Sequence, residues 1–392
     1  MMKIRMIGIV FCWLLPFYGM AYERNTNESE TLQNNDTIAQ KTTWLKSLLD
    51  YFAKSDNPDP TKKFDFGLIC GPHYSSDVGL GLGIVASGLY STDRADTLLP
   101  KSNVSVYADI TTKAFLLIGV RGNHVFPQKR YRIDYKLYVY TFPTYFWGIG
   151  YDKGKENSNE SEYRRLKMEF LSRFLFHIGE NSYVGPIVDI QFVRGSKLEL
   201  GSEPLWEGEE LCLRTNRVGL SYTYDSRDFM LNASRGWFIQ LDQLFAPGLI
   251  GNDDVFNITD LTACTYRTVW KGGILAGEFH SCLNGGDVPW ALLAAVGGDS
   301  RMRGYYEGRY RDKNLIEAQV ELRQHIWHRN GAVCWVGAAN VFPKWSALKG
   351  KKTLFNAGIG YRWEFKEKVN VRLDLGFTRN GPGFLFNINE AF

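Results

Sequence analysis

Residues 315–327 read "LIEAQVELRQHIW". Ile316, Ala318, Val320, Leu322 and Ile326 fall on one side of an extended chain, and Glu317, Gln319, Glu321, Arg323 and His325 fall on the other. Successive side chains of a strand point to opposite faces, so this is a strand with one apolar and one charged face. Two architectures accept such a strand. In a soluble sandwich the charged face meets bulk water. In a transmembrane barrel the apolar face meets lipid and the charged face lines the lumen.

The same period of two extends along the chain in both directions. In "RIDYKLYVY", 132–140, Ile133, Tyr135, Leu137 and Val139 oppose Arg132, Asp134 and Lys136. In residues 163–178, Leu166, Met168, Phe170, Phe174, Phe176 and Ile178 oppose Lys167, Glu169, Arg173 and His177. In "VNVRLDLGF", 369–377, the valines, leucines and Phe377 oppose Asn370, Arg372 and Asp374. These segments run about 10–14 residues, longer than the five or six usual in soluble strands and right for tilted membrane spans. The connections also alternate. They are tight near 179–182, 270–273, 327–331 and 365–369, and long and polar near 143–162, 195–213, 284–314 and 341–353. Short inner turns and long outer loops are the asymmetry of an outer-membrane barrel. The expected fold is therefore all-β: a transmembrane antiparallel barrel of about sixteen strands over residues 64–392. Its closing segment, "GFLFNINEAF", places Phe384, Phe386, Ile388 and Phe392 on one face, as an interfacial girdle would require.

The N-terminus agrees with export. Lys3 and Arg5 precede "IGIVFCWLLPFYGMA", which ends in small residues at Gly19 and Ala21, so residues 1–21 read as a signal peptide. Bulky Phe11 before Cys12 argues against a lipid anchor there. Residues 22–63 read as a flexible leader followed by an amphipathic helix with Ile38, Leu45, Leu48, Leu49 and Phe52 as its stripe. That stripe could plug a lumen, lie on the membrane or dock on a partner. "GLGLG", 79–83, lacks the third glycine spacing and the following helix of a dinucleotide loop. Gly79, Gly81 and Gly83 share one strand face and make room for a plug instead.

Other classes find little support. A net charge of +4, scattered along the chain, is too weak for nucleic-acid binding. Past the signal there are five cysteines, Cys70, Cys212, Cys264, Cys282 and Cys334, with no C-x-x-C pair. They read as isolated buried thiols rather than a disulfide framework or a metal site. His325 and His328 lie on opposite strand faces and cannot share a metal. No serine and histidine are fixed close together by sequence, so no enzyme and no cofactor are expected. Outer-membrane lipids are the expected surroundings.

The oddest stretch is "GGDSRMRGYY", 297–306, which lies in the longest connection. Its glycines allow the loop to fold back on itself. Folded inward, Arg301 and Arg303 would meet a lumen wall carrying Glu317 and Glu321; folded outward, they would meet solvent or lipid. Spacing alone leaves both open.

"DSRMRGYY" resembles the (Val/Ile)-Arg-Gly-(Phe/Tyr) loop of the outer-membrane assembly barrels, the BamA/TamA superfamily or bacterial surface antigen family. Three further stretches match in order. "YTYDSRDFMLNASRGWFIQLD", 222–242, resembles the family's Asp-x-Arg-Asp turn, here Asp225, Arg227 and Asp228, with Gly236 at the following strand start. "IEAQVELRQHI" resembles its Glu-x-Arg strand, and "GIGYRWEFKEKVNVRLDLGF", 358–377, its penultimate strand pair.

The resemblance implies a loop tucked into the lumen, with the motif Met302, Arg303, Gly304 and Tyr305 at its tip. Arg303 would pair with Glu321, with Glu317 and Arg323 also lining its berth. The second acid that the family carries on strand thirteen is replaced here by Gly337, so the pair would rest on Glu321 alone. Met302 stands where a β-branched residue is usual. Residues 22–63 are too short for the family's periplasmic docking domains, so a short member lacking them is expected. The implied function is insertion or translocation of polypeptides in the outer membrane of a Gram-negative bacterium. Client outer-membrane proteins and other assembly components would be the partners. A seam between the first and last strands would open, with Arg303 bracing the wall opposite. The alternative is a passive channel or a structural surface antigen.

Overall fold

A computed structural model describes residues 64–392 except 76–78, 94–95, 97–98, 367–368 and 389. The signal peptide, the leader, the helix stripe and the side chains of residues 64–79 lie outside what is described.

Sixteen strands form one antiparallel sheet in chain order. They are β1 (Phe64–Ser75), β2 (Gly79–Tyr90), β3 (Ser102–Thr111), β4 (Leu116–Val125), β5 (Tyr131–Phe146), β6 (Ser161–Gly179), β7 (Ser182–Ser196) and β8 (Cys212–Asp225). The second half comprises β9 (Gly236–Ala246), β10 (Phe256–Trp270), β11 (Gly273–Gly286), β12 (Asn314–Trp327), β13 (Asn330–Phe342), β14 (Leu354–Lys366), β15 (Val369–Thr378) and β16 (Gly381–Ile388). The last strand lies alongside the first. Among the described residues the ladder does not continue across that seam. Among the described residues no helix is long and apolar enough to cross a membrane.

Exposure follows the period of two. On β6, Met168, Phe170, Phe174, Phe176 and Ile178 are all exposed, while Glu169 between them is buried. On β12, Val320 is exposed while Glu317, Gln319, Glu321 and Arg323 are buried. A protein that exposes its phenylalanines and buries its carboxylates is organised for lipid outside and a polar interior. This inversion explains how 15% aromatic residues coexist with a mean hydropathy of −0.25. Aromatics gather on the outward face near the tight-turn ends of β5 and β6: Tyr131 stacks on Phe174 at 5.8 Å, and Phe174 meets Phe176 edge-on at 5.0 Å.

Four thiols are free among the described residues, and they differ from the expected set of buried ones. Cys264 is buried and Cys282 partly so, but Cys212 and Cys334 are exposed. Cys334 sits on the outward face of β13, where apolar surroundings accept a thiol as readily as a core does.

Register across the last strands sets the site. Glu321 pairs with Trp335, Trp335 with Gly358, Gly358 with Gly376, and Gly376 with Gly383. One row across five strands thus begins with an acid and an indole and continues as three glycines. Because these positions face inward, the row is a trough in the lumen wall.

Candidate functional site

The connection between β11 and β12 enters the lumen and lies in that trough. A two-residue ladder, Ala294–Ala295 against Arg311–Asp312, closes its neck. The tip then turns at Met302, with φ of 43°, and at Gly304, with φ of 104°. A side chain at Gly304 would come within 2.9–3.0 Å of Thr378 and the Gly376 backbone. One at Gly376 would collide with the Arg303 carbonyl oxygen, and one at Gly383 would sit 2.8 Å from the Gly304 Cα. Backbone lies on backbone here, and only glycine permits it. Met302, in a left-handed conformation uncommon for its type, is buried with Tyr305, Tyr310, Ala339 and Val341.

Arg303 is fully buried. Its Nη2 donates to Glu321 Oε2 at 2.5 Å, and its Nη1 donates to Asp374 Oδ2 at 2.8 Å. The guanidinium lies 3.7 Å from the Trp335 ring centroid, and Asn356 Nδ2 donates to the Arg303 carbonyl at 2.9 Å. Charge-assisted hydrogen bonds in a dry site, with an aromatic face beneath, are what a planar guanidinium suits and an ammonium does not. The expectation that Glu321 acts alone is thereby corrected. Gly337 on β13 offers no carboxylate, and the Met302 Sδ lies 3.2 Å from the position of its absent Cβ. The second acid comes instead from β15. The bracing position also differs from expectation: the loop lies on β15 and β16 themselves, beside the seam rather than opposite it.

Both acids are shared. Arg323 Nε donates to Glu321 Oε1 at 2.7 Å, behind the loop rather than against it. Arg362 Nη1 donates to Asp374 Oδ1 at 2.6 Å and its Nε to Glu390 Oε2 at 2.8 Å. Arg372 Nη2 donates to the Asp299 carbonyl at 2.7 Å, with its Nε 3.7 Å from Asp374. Four guanidiniums, from Arg303, Arg323, Arg362 and Arg372, therefore face three carboxylates, Glu321, Asp374 and Glu390. Among these ion-paired side chains cation is in excess, so each of the three carboxylates matters more than any one arginine.

Arg301 takes a different berth. It donates to Glu278 Oε1 at 2.8 Å and Thr262 Oγ1 at 3.0 Å, and stays 4.0 Å from Glu317. Glu317 belongs mainly to His280, whose Nδ1 is 2.7 Å away, while His280 Nε2 is 3.2 Å from Asp260. Tyr305 OH donates to the Phe355 carbonyl at 2.9 Å, and Tyr306 OH is 2.8 Å from Thr144 Oγ1 on β5. The loop thus spans from the seam wall to the far side of the barrel.

The Asp225 motif closes the turn between β8 and β9. Asp225 accepts from Arg227 Nε at 2.8 Å and Nη2 at 2.7 Å. Asp228 accepts from the Ser234 backbone at 2.8 Å and from the Ser234 hydroxyl. Gly236 takes φ of 106° against the Ser226 carbonyl.

Phe384 and Phe386 face outward and are exposed. Phe392 departs from their face, which corrects the expected girdle. The strand ends at Ile388, and Glu390 and Phe392 lie on the lumen side. There Glu390 accepts from Arg362 and, at 2.6 Å, from Asn370 Nδ2. Arg323 Nη2 donates to the Phe392 main-chain oxygen at 2.7 Å, and the Phe392 ring lies 6.4 Å from Tyr266. Ion pairing at Glu390 draws the segment inward, against the alternation that would have sent Phe392 to lipid.

Among the described residues no cluster of His, Cys, Asp or Glu could hold a metal. Arginine, acid, indole and glycine together make a mechanical fastening.

Residues 122–392 match the Omp85 superfamily domain. The chain belongs to the Omp85 superfamily. It is an integral outer-membrane β-barrel. A search of curated sequences finds no match. Among solved structures, this Omp85 barrel is similar to BamA from Haemophilus ducreyi lacking POTRA domains 1–3, with a TM-score of 0.53 and 12% identity over 90% of this chain and 77% of that one. It is also similar to CdiB from Acinetobacter baumannii, with a TM-score of 0.55 and 11% identity over 84% of this chain and 60% of that one. For CdiB from Escherichia coli the TM-score is 0.55, with 12% identity over 85% and 63%. This chain spans less than two thirds of both CdiB chains, and at these identities the likeness is one of fold.

Proposed function

We propose that this Omp85 barrel inserts or translocates polypeptides at the outer membrane of a Gram-negative bacterium, with unfolded outer-membrane proteins as its clients. In this reading the seam between β1 and β16 opens and an incoming strand pairs with the freed edge, a form of β-augmentation. The observation that carries it is the fully buried Arg303 held by acids on β12 and β15 while Gly304 rests against β15 and β16. A fastening beside the seam can hold the wall in register while the edge strand exchanges partners. The chain performs no covalent chemistry in this account.

The test is a reconstitution. The purified barrel is placed in liposomes, an unfolded small outer-membrane protein is added, and client folding is followed by the gel shift of unheated samples. The expected result is acceleration by the wild-type barrel that Arg303→Ala abolishes. No acceleration by a correctly folded, heat-modifiable barrel would overturn the reading in favour of a passive channel or a structural surface antigen.

A further inference from the structure

The outer loops are sharply divided in charge. Residues 197–211, between β7 and β8, carry Glu199, Glu203, Glu207, Glu209 and Glu210 against Lys197 alone. Residues 343–353, "PKWSALKGKKT" between β13 and β14, carry Lys344, Lys349, Lys351 and Lys352 and no acid. Lys352 is engaged, its Nζ 2.5 Å from Asp152 Oδ2. Lys344, Lys349 and Lys351 are exposed, and their ammonium groups have no partner among the described residues.

The loop presenting them has a defined backbone. Two short 3-10 turns shape it, Trp345–Ala347 and Gly350–Lys352. Asn340 Nδ2 donates to the Lys349 carbonyl at 3.0 Å, and Asn314 Nδ2 donates to the carbonyls of Phe342 and Pro343, each at 3.2 Å. Trp345 packs beside Phe342 at 5.1 Å yet stays 61% exposed, and Phe355, on the outward face where β14 begins, is 66% exposed. In order from the strand outward, the surface therefore offers a hydrocarbon-facing ring, an indole and a cluster of unpaired ammonium groups. An indole marks the boundary between hydrocarbon and headgroups, and cations just beyond it lie at the depth of headgroup phosphates.

We propose that loop 343–353 is a docking surface for phosphorylated lipid headgroups of the outer leaflet, with Lys344, Lys349 and Lys351 holding phosphate and Trp345 setting the depth. This holds whether or not the barrel inserts clients. Lipid is favoured over an acidic polypeptide because the exposed rings of Trp345 and Phe355 flank the three unpaired lysines along the chain, while Lys352 alone turns toward the lumen mouth, over Tyr151.

The test is native mass spectrometry of the full chain released from neutral detergent, titrated with diphosphoryl lipid A and, separately, with the same lipid stripped of its phosphates. Wild type is expected to prefer the phosphorylated lipid. Each lysine contributes about fivefold, so Lys344→Gln, Lys349→Gln and Lys351→Gln together weaken that binding on the order of a hundredfold. Trp345→Ala is expected to weaken both lipids alike. Equal affinity of wild type for the two lipids would overturn the proposal. So would an undiminished preference in a triple variant that still shows the folded gel shift. A glutamate 20-mer that bound these lysines more tightly than the phosphorylated lipid would also overturn it, assigning the surface to acidic chains.

Discussion

Two walls of the lumen use cations in opposite ways. Between β12 and β16, guanidiniums are dry, excess over carboxylates and joined in one network around Arg303. Across the barrel, between β3 and β6, cations lie over tyrosines: Arg121 is 5.0 Å from the Tyr107 ring and Lys136 is 5.5 Å from Tyr138. Arg121 is exposed to the interior, and Lys136 and Lys167 share the single carboxylate of Glu169. The first wall is a fastening in which removing one member strands others. The second is a lining of nearly independent contacts. Burial, more than the number of ion pairs, makes the difference.

Removing an acid from the fastening has the largest expected effect. Asp374→Ala leaves four guanidiniums facing two carboxylates without water, and is expected to cost about 3–5 kcal/mol in barrel stability, read from the urea midpoint. Arg303→Ala leaves three against three, so its cost is smaller, about 2–3 kcal/mol for lost charged hydrogen bonds. Arg303→Lys should recover little of it, because one ammonium cannot serve both acids and stack on Trp335. If Arg303→Ala proves the worse of the two, the excess-cation account of this wall fails. Next in size is Gly376→Ala, which drives a methyl group into the Arg303 carbonyl and should cost about 1–3 kcal/mol. It should also raise protease cleavage within 297–306. On the far wall, Arg121→Gln should cost only about 0.5–1 kcal/mol and leave the loop protected.

Much of this molecule was legible along the chain. The alternation in 315–327 and 369–377 separated lumen from lipid residues, and the lengths of segments and loops distinguished a barrel from a sandwich. Asp374 could be recognised as facing inward, but nothing in the sequence placed it at the level of Arg303. A period of two reports the face of a residue and is silent about which residue of a neighbouring strand sits beside it. That is a matter of register: only the pairings Trp335–Gly358, Gly358–Gly376 and Gly376–Gly383 align the trough. Three glycines at matched heights on β14, β15 and β16 were a signal, visible only once the strands were aligned. Phe392 misled for a related reason. Its spacing continues the outward pattern of Phe384 and Phe386, but the pattern applies only while the chain remains a strand, and Glu390 finds Arg362 just past the end.

The central claim is that Arg303 supports the seam strand from within. Amide hydrogen exchange of the barrel in lipid nanodiscs, compared between wild type and Arg303→Ala, tests it most directly. Faster exchange at the β15 and β16 amides around Phe377, Phe384 and Phe386, with β3 to β6 unchanged, is the predicted result. Unchanged protection of β16, or a uniform loss around the whole barrel, would contradict it.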